Sequence, residues 1–174
     1  SFLKKSIGGE LSPDVQIEFL ISNVVITPRE LARAVRFLQK QISKKPKLKN
    51  AIDVCGTGGS GLPRINTSTI SAFILARLGV RVAKHGNRAA SGRFGSFDLL
   101  ESMGIGFSDT IWDIEEKYEK ENLAFLFAPF FHPVMKHFAE MRKKIGHPTF
   151  FNLIGPLLNP AFPKRQILGT AFKD

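Results

Sequence analysis

The chain has 174 residues, of which 43% are hydrophobic, which is enough to bury one sizeable core and a small satellite unit. No apolar run approaches the roughly 20 residues that cross a bilayer. We therefore expect a cytoplasmic protein without a membrane-spanning segment. Cys55 is the only cysteine, which excludes an intrachain disulfide and a multi-cysteine metal site. The net charge of +10 favours anionic partners, among them nucleic acid, phosphorylated metabolites and acidic proteins.

The chain begins with a predicted small α-helical domain, residues 1–43. Thr27, Pro28 and Glu30 form the pattern of a capping box with proline at the first helical position, and apolar residues recur at helical spacing after them. The lysine-rich stretch 44–49 has no interleaved aromatic residues on which bases would stack. This stretch therefore predicts a solvated linker and does not favour nucleic acid as a partner.

Residues 50–174 predict a larger α/β domain with a parallel sheet, because short apolar runs alternate there with amphipathic stretches. The predicted strands are 51–55, 80–83, 123–127 and 167–170. The predicted helices are 68–78, one capped by Ser96 that runs to Met103, one capped by Ser108 or Asp109 that runs to Tyr118, and one from His132 to Ile145 that is closed by Gly146. A last strand at 167–170 exposes an unfinished sheet edge, so this α/β domain is expected to be incomplete.

A glycine-rich loop, residues 56–61, follows the first predicted strand and satisfies the dinucleotide pattern G-x-G-x-x-G. Glycines allow positive φ and let successive backbone N–H groups converge on an anion. A nicotinamide enzyme needs an acidic residue near the end of the second strand, whereas this chain has Lys84 and His85 there. The loop therefore favours a phosphate-rich ligand other than NAD, and a tight turn without a ligand is the alternative.

Two further polar segments lie near predicted ligand-binding positions. Asn66-Thr67-Ser68-Thr69 stands at the start of the helix 68–78, where free N–H groups and the helix dipole favour a diphosphate; simple helix capping is the alternative. Lys84-His85-Gly86-Asn87-Arg88 stands at a strand end, where open α/β sheets bind ligands; a solvated charged loop is the alternative.

Taken together, the segments Asp53 to Gly59, Asn66 to Thr69, Lys84 to Arg88 and Phe151 to Pro160 resemble anthranilate phosphoribosyltransferase in order and spacing. The resemblance implies a small helical domain on a larger α/β domain, with the ligand at the hinge. It also implies transfer of the phosphoribosyl group of phosphoribosyl diphosphate to the amine of anthranilate during tryptophan biosynthesis. Magnesium as cofactor and a homodimer formed through the helical unit are implied as well.

The same resemblance implies a set of site residues. The phosphoribosyl-diphosphate contacts are Gly56, Gly59, Ser60, Arg64, Asn66, Thr67, Ser68, Thr69, Lys84, His85, Gly86, Asn87, Arg88, Ala89, Ala90, Ser91, Gly92 and Ser96. The anthranilate contacts are Gly56, Asn87 and Arg142, and Ser68 also contacts magnesium. The planar fork of an arginine suits a carboxylate, although a cation near a helix C-terminus also interacts with the dipole. No single catalytic residue is assigned, because the aromatic amine is a nucleophile and diphosphate a good leaving group, so positioning and charge stabilisation carry the rate.

Three residues depart from the family pattern: Ser60 replaces an aspartate, Arg64 a threonine and Gly92 a serine. The first two raise the local charge by about two units. Family members are much longer than this chain and hold magnesium with an Asp-Glu pair that has no counterpart here. Glu115-Glu116 is a weak substitute inside an amphipathic helix. We therefore expect a partial chain that retains some phosphoribosyl-diphosphate binding and turns over weakly or not at all.

Two other functions stay open from the sequence. Pyrimidine nucleoside phosphorylases share the fold and a similar Lys-His glycine region, but they continue with Ser-Thr-Gly-Gly after Lys-His, which this chain does not. A non-catalytic relative would instead use its charge of +10 to hold nucleic acid, with a steep dependence on salt.

Overall fold

The structure is a computed structural model that describes residues 2–21, 27–58, 65–89, 95–146 and 149–170. It alternates helices and strands, and the α/β class predicted from the sequence is confirmed. The α-helices are α1 (Phe2–Ile7), α2 (Pro13–Ile21), α3 (Pro28–Lys40), α4 (Thr67–Arg77), α5 (Ser96–Ser102), α6 (Ile111–Glu121), α7 (Ala128–Phe131), α8 (Ala139–Ile145) and α9 (Phe150–Ile154). The strands are β1 (Ile52–Gly56), β2 (Val82–Gly86), β3 (Leu123–Phe127) and β4 (Arg165–Gly169), and 3₁₀ segments span Pro133–Phe138 and Gly155–Leu158.

The strands form one parallel sheet in the order β3-β2-β1-β4 among the described residues. They start and end nearly in step: Gly56 of β1 pairs with Gly169 of β4, and Gly86 of β2 pairs with Phe127 of β3. Because carboxyl ends of parallel strands meet at one edge, the loops that follow β1 and β2 lie side by side there. That edge therefore holds the segments on which the predicted function depends.

Each face of the sheet is covered by helices. On one face, Ala72 and Ala76 of α4 pack against Val54 and Val82 of the central strands. On the other face, the side chains of α6, led by the fully buried Tyr118, pack against the alternate residues of β2 and β3. Cover on both faces is the usual arrangement of a parallel sheet and explains why its central strands are largely buried.

A separate helical layer has its own apolar cluster. It joins Leu3, Leu20 and Leu38 of the first three helices to Phe138 and Ile154 of the segment that follows β3. Leu38, Phe138 and Ile154 are almost completely buried. The helical layer thus draws residues from both sides of the predicted boundary between 1–43 and 50–174, and that boundary stays a prediction.

Strand β4 lies at the edge of the sheet, and all five of its residues are exposed. Ile167, for example, is 63% exposed although it is apolar. An uncovered edge strand offers unpaired backbone groups and apolar side chains to a partner. The sequence predicts an exposed edge strand at 167–170. The observed strand begins two residues earlier, at Arg165.

Several local predictions are confirmed. Thr27 caps α3 by accepting a hydrogen bond at Oγ1 from the Glu30 N–H (3.3 Å), and Glu30 accepts one from the Thr27 N–H (2.9 Å). This is the predicted capping box, and Pro28 is the first helical residue. Strand β3 has the predicted bounds, and Gly146 ends α8 with a φ of +70°.

Other local predictions are wrong in detail. Helix α5 is capped by Gly95 rather than Ser96, because Asp98 accepts a hydrogen bond from the Gly95 N–H. Helix α6 is capped by Thr110 rather than Ser108 or Asp109, since its hydroxyl accepts from the N–H three residues on. Strand β2 begins two residues later than predicted, so that Lys84 and His85 lie inside the strand. The predicted helix from His132 to Ile145 is a 3₁₀ segment followed by α8.

The stretch 44–49 is only partly the solvated linker that the sequence predicts. Leu48 is buried in the core beside α6, and Pro46 is buried as well. The ammonium of Lys44 lies 3.6 Å from the ring centroid of Phe130, a cation–π contact. Within the described ranges, no helix is long and apolar enough to cross a membrane.

Candidate functional site

The glycine loop leaves β1 at the carboxyl edge of the sheet. The Thr57 N–H donates to the carbonyl of Gly169 on β4 (3.0 Å), and a Cβ on Gly56 would lie 3.4 Å from the same oxygen. Gly58 has a φ of +66°, which L side chains rarely adopt, so the chain turns sharply there. Of the predicted contacts in this loop, Gly59, Ser60 and Arg64 lie outside the described residues.

Asn152 of α9 holds this loop from the helical layer. Its Nδ2 donates to the Thr57 carbonyl (3.3 Å), and its Oδ1 accepts from the Thr149 N–H at the start of α9 (3.0 Å). The contact with Thr57 joins residues 95 positions apart. The sequence assigns no role to Asn152, although it lies in the segment 151–160 that carries part of the resemblance.

The polar residues at the start of α4 divide between solvent and interior. Thr67 is exposed and Ser68 half-buried, whereas Thr69 is fully buried with a hydroxyl that has no hydrogen-bond partner among the described residues. Asn66 does not cap α4; its Nδ2 donates instead to the carbonyl of Gly95 (2.9 Å). Asn66 thereby ties the start of α4 to the start of α5, and Thr67 and Ser68 present their hydroxyls nearest to solvent.

Lys84 is buried below the start of α4. Its ammonium donates to the carbonyl of Val54 (2.8 Å) and to the hydroxyl of Ser68 (3.0 Å), and the residue is 2% exposed. Burial lowers the pKa of Lys84, and the negative charge of Asp53 opposes that shift. The ammonium adds its charge to the positive end of the α4 dipole, where an anion would be stabilised.

His85 points to the opposite face of the sheet from Lys84, because side chains alternate along β2. Its ring lies edge-on to His132 with the centroids 5.1 Å apart, and it hydrogen bonds the backbone of Gly155. Burial, with a smaller effect of His132, lowers the pKa of His85 to about 3, and burial lowers the pKa of His132 to about 4. Both rings are neutral at pH 7, and the His85 side chain packs against the helical layer.

The backbone that follows β2 lies against the start of α5. The carbonyl of Asn87 accepts hydrogen bonds from the Ser96 hydroxyl (3.2 Å) and the Phe97 N–H (3.3 Å). A Cβ on Gly86 would overlap the Ser96 hydroxyl, so a larger residue there would require the Ser96 side chain to move. Ala89 is the last predicted contact of this loop among the described residues, and Ala90, Ser91 and Gly92 lie outside them.

Arg88 is turned toward α5 and β3. Its guanidinium pairs with Glu101 and lies 4.9 Å from the ring centroid of Phe127. The hydrogen bonds that Arg88 donates to Glu101 raise the pKa of Arg88. Much of the charge on Arg88 is therefore compensated by Glu101, although both side chains remain partly exposed.

Arg142 lies on α8 and packs on the ring of Phe151, 5.6 Å from its centroid. Burial lowers the pKa of Arg142, and no carboxylate among the described residues pairs with it. Phe151 precedes Asn152, which contacts the glycine loop. The structure thus connects Arg142 to the loop after β1 through two adjacent residues of α9.

Buried polar side chains that sequence patterns do not reveal fix the rest of the site. Asp53 on β1 accepts a hydrogen bond from Gln166 of β4 (3.0 Å), and Gln166 also donates to the carbonyl of Pro156 (2.7 Å). Asn159 donates to the carbonyl of Ala83 in β2 (2.8 Å). These bonds hold residues 155–159 against β2 and β4 and so position the helical layer.

The described residues do not form a magnesium site by themselves. They contain no group of three or more His, Cys, Asp or Glu residues that would hold a metal ion. The Ser68 hydroxyl, the one predicted ligand, accepts a hydrogen bond from the Lys84 ammonium, whose charge repels a dication. Glu115 accepts from the Lys47 N–H, and Glu116 pairs with Lys120 on the surface of α6.

A parallel sheet with a glycine turn, a hydroxyl-bearing helix start and a polar loop at its carboxyl edge is an arrangement in which α/β proteins commonly bind phosphorylated ligands. The family model described as "Glycosyl transferase family, a/b domain" matches residues 48–174. The chain belongs to this family of glycosyl transferases, and the predicted resemblance is confirmed.

Known proteins similar to this chain include several anthranilate phosphoribosyltransferases. One from Bacillus caldotenax is 46% identical over 160 residues, which are 90% of this chain and 66% of that protein. The crystal structure of the Thermus thermophilus enzyme is 38% identical, with a TM-score of 0.84, over 97% of this chain and 52% of that one. The Saccharomyces cerevisiae structure in complex with PRPP and Mg is 32% identical, with a TM-score of 0.73, over 83% and 41%. The chain thus spans between 41% and 66% of these relatives.

Proposed function

We propose that this chain carries the phosphoribosyl-diphosphate (PRPP) site of an anthranilate phosphoribosyltransferase of tryptophan biosynthesis. The reaction gives phosphoribosyl-anthranilate and diphosphate. The observation that carries the proposal is the bond from Asn66 to the Gly95 carbonyl, which brings the start of α4 and the loop after β2 together. The names of the relatives and the PRPP complex of the yeast enzyme support the choice of substrate.

The chemistry needs orientation more than acids or bases. The amine nitrogen of anthranilate attacks C1 of the ribose while the bond from C1 to the diphosphate oxygen breaks. Diphosphate leaves with the electron pair, and the amine nitrogen then loses a proton. Holding the two substrates in line and offsetting the charge on the departing diphosphate account for the rate in this scheme.

The diphosphate would lie at the start of α4, beside the glycine loop. Thr67 and Ser68 offer hydroxyls there, and the first turn of the helix adds its dipole. The buried ammonium of Lys84, which bonds the Ser68 hydroxyl, would offset the negative charge of the diphosphate. Gly56, Asn87 and Ala89 supply backbone at the same edge, where the absence of bulky side chains lets a ligand approach.

Anthranilate would be held by its carboxylate. Arg142 is half-buried and has no carboxylate partner within the described residues, so a bidentate pair with the substrate would satisfy it. Asn87 and the Gly56 backbone stay the other proposed contacts. This arrangement places the acceptor on the helical side of the glycine loop.

Magnesium belongs to the proposal as a companion of the diphosphate. Magnesium is usually held in such sites by one or two carboxylates together with phosphate oxygens, and the ion neutralises phosphate charge when bound. Among the described residues, only the Ser68 hydroxyl is a proposed contact, and it already bonds Lys84. No step of the scheme depends on a position of the ion.

Calorimetric titration with PRPP and magnesium tests the proposal, followed by loss of anthranilate fluorescence. We expect measurable PRPP binding that Ser68→Ala weakens and Ser102→Ala does not, because Ser102 bonds only the Leu99 carbonyl near the end of α5. Binding of thymidine and phosphate instead would favour a nucleoside phosphorylase. Steeply salt-dependent DNA binding without heat from PRPP would favour a nucleic-acid-binding relative.

A homodimer formed through the helical layer and a cytoplasmic location complete the proposal. Sedimentation equilibrium measures the first, and fractionation of cells that express the full protein measures the second. A monomer at all concentrations would remove the dimer from the proposal without affecting the substrate assignment.

A further inference from the structure

A single carboxylate holds the backbone of the loop that follows β2. Asp98 lies in the first turn of α5, and its Oδ2 accepts hydrogen bonds from the N–H groups of Ala89 (2.8 Å) and Gly95 (2.7 Å). Hydrogen bonds to an ionised acceptor are shorter and stronger than those between neutral groups. One side chain thus joins the end of the β2 loop to the start of α5.

The backbone at residues 87–89 packs closely against Gly95. A Cβ on Gly95 would lie 2.5 Å from the Ala89 nitrogen and 2.7 Å from the carbonyl oxygen of Asn87. The Asn87 carbonyl in turn accepts bonds from Ser96 and Phe97. The backbone at 87–89 is therefore in direct contact with the start of α5, and Asp98 bonds both sides of that contact.

The same contact extends to α4. The Gly95 carbonyl accepts a hydrogen bond from Asn66 (2.9 Å), while the Gly95 N–H donates to Asp98. The backbone N–H and the carbonyl of Gly95 are thus both held by side chains, the first by Asp98 of α5 and the second by Asn66, which directly precedes α4. The start of α4 and the loop after β2 are two parts of the proposed PRPP site, together with the glycine loop. The hydrogen bonds of Gly95 fix the position of these two parts relative to each other.

We propose that Asp98 is a positioning residue, which sets the affinity of the site for PRPP by fixing Ala89 and Gly95 without contacting the ligand. The inference rests on the proposed function for the identity of the ligand. Groups that bind a ligand must be held to within about 0.5 Å of the productive geometry. Loss of the carboxylate releases the backbone donors of Ala89 and Gly95.

The experiment compares Asp98→Ala, Asp98→Asn and the unchanged chain with a matched control, Asp113→Ala. Asp113 lies in the first turn of α6, where it bonds the hydroxyl of Thr110 (2.7 Å) as Asp98 bonds Gly95, but α6 covers the sheet away from the site. Three quantities are measured for each protein. They are the amide hydrogen exchange of residues 89 and 95, the thermal stability, and the PRPP affinity by calorimetry.

We expect D98A to speed exchange of both amides and to weaken PRPP binding, each on the order of 10-fold. D98N keeps an acceptor oxygen and should recover part of both effects. D113A should lower thermal stability while PRPP affinity stays unchanged, which separates positioning from a loss of stability. If D98A does not fold, the PRPP affinities of D98N and D113A are compared instead, and a weaker affinity in D98N supports the proposal.

The inference is overturned if PRPP affinity in D98A and D98N equals that of D113A, or if exchange at residues 89 and 95 is unchanged. Absence of PRPP binding by the unchanged chain refutes the proposed function. The exchange measurement then still decides whether Asp98 fixes the loop. The two failures are therefore distinguishable.

Discussion

Substitution of Gly95 by alanine tests how closely the loop after β2 packs against α5. The added Cβ would meet the Ala89 nitrogen at 2.5 Å and the Arg88 carbonyl carbon at 2.7 Å, and both atoms belong to the backbone. To relieve this overlap, the backbone must move until these contacts lengthen toward 3.4 Å, where ordinary van der Waals distances begin. Overpacking of this kind costs about 1–3 kcal/mol. The movement also strains the bonds of Asp98, so we expect a total near the upper end, about 3 kcal/mol.

Thermal unfolding measures this cost. For a domain of this size, about 3 kcal/mol lowers Tm by roughly 6–12 °C. Gly106→Ala is the matched control, because a Cβ at Gly106 has nothing within 4 Å, so it should change Tm little. PRPP binding should weaken in G95A and not in G106A. Equal Tm and equal affinity in the two variants would show that the contact at Gly95 is not as close as the structure has it.

Two further predictions concern Arg142 and His85. Arg142→Lys should weaken anthranilate binding on the order of 10-fold while PRPP binding persists, because lysine lacks the planar fork. Fluorescence titration measures anthranilate binding and calorimetry measures PRPP binding, with exposed Arg33→Lys as the control. Unchanged anthranilate affinity in R142K would remove Arg142 from the site. Because the pKa of His85 is lowered to about 3, the unfolded chain binds a proton between about pH 6.5 and 3 that the folded chain does not. The free energy of unfolding should therefore decrease as the pH is lowered through that window, by roughly 5 kcal/mol. His85→Asn, which keeps a donor near Gly155, should flatten the fall in urea-unfolding curves, and an equally steep fall would contradict the assignment.

Local sequence patterns were reliable where the signal lies within a few residues. The capping box of Thr27 and Glu30 is visible because both partners lie in one helical turn. The bounds of β3 follow from a short apolar run, and Gly146 marks the end of α8. The caps of α5 and α6 were misplaced because Ser96, Ser108 and Asp109 are also good capping residues, and only backbone geometry selects among neighbours.

The candidate site was predicted in part. The resemblance carried by Lys84 to Arg88 predicts a site at the carboxyl end of β2, and the structure places Asn87 and Ala89 at that end. It could not show that Lys84 is buried beneath Ser68, since burial depends on which helix covers β2. Nor could it show that Asn66 bonds Gly95, because the two residues come from different loops that meet only in the folded sheet.

By itself, the sequence determined the α/β class, the glycine turn after β1 and the family to which the chain belongs, because these depend on periodicity, on glycine conformation and on short motifs. Only the tertiary structure decided that Asp98 bonds both Ala89 and Gly95, that Gln166 bonds Asp53, and that Phe138, Phe151 and Ile154 complete the helical layer. These contacts join segments distant in the chain. Their partners are set by the parallel register of the sheet and the packing of helices on it, which no local pattern encodes.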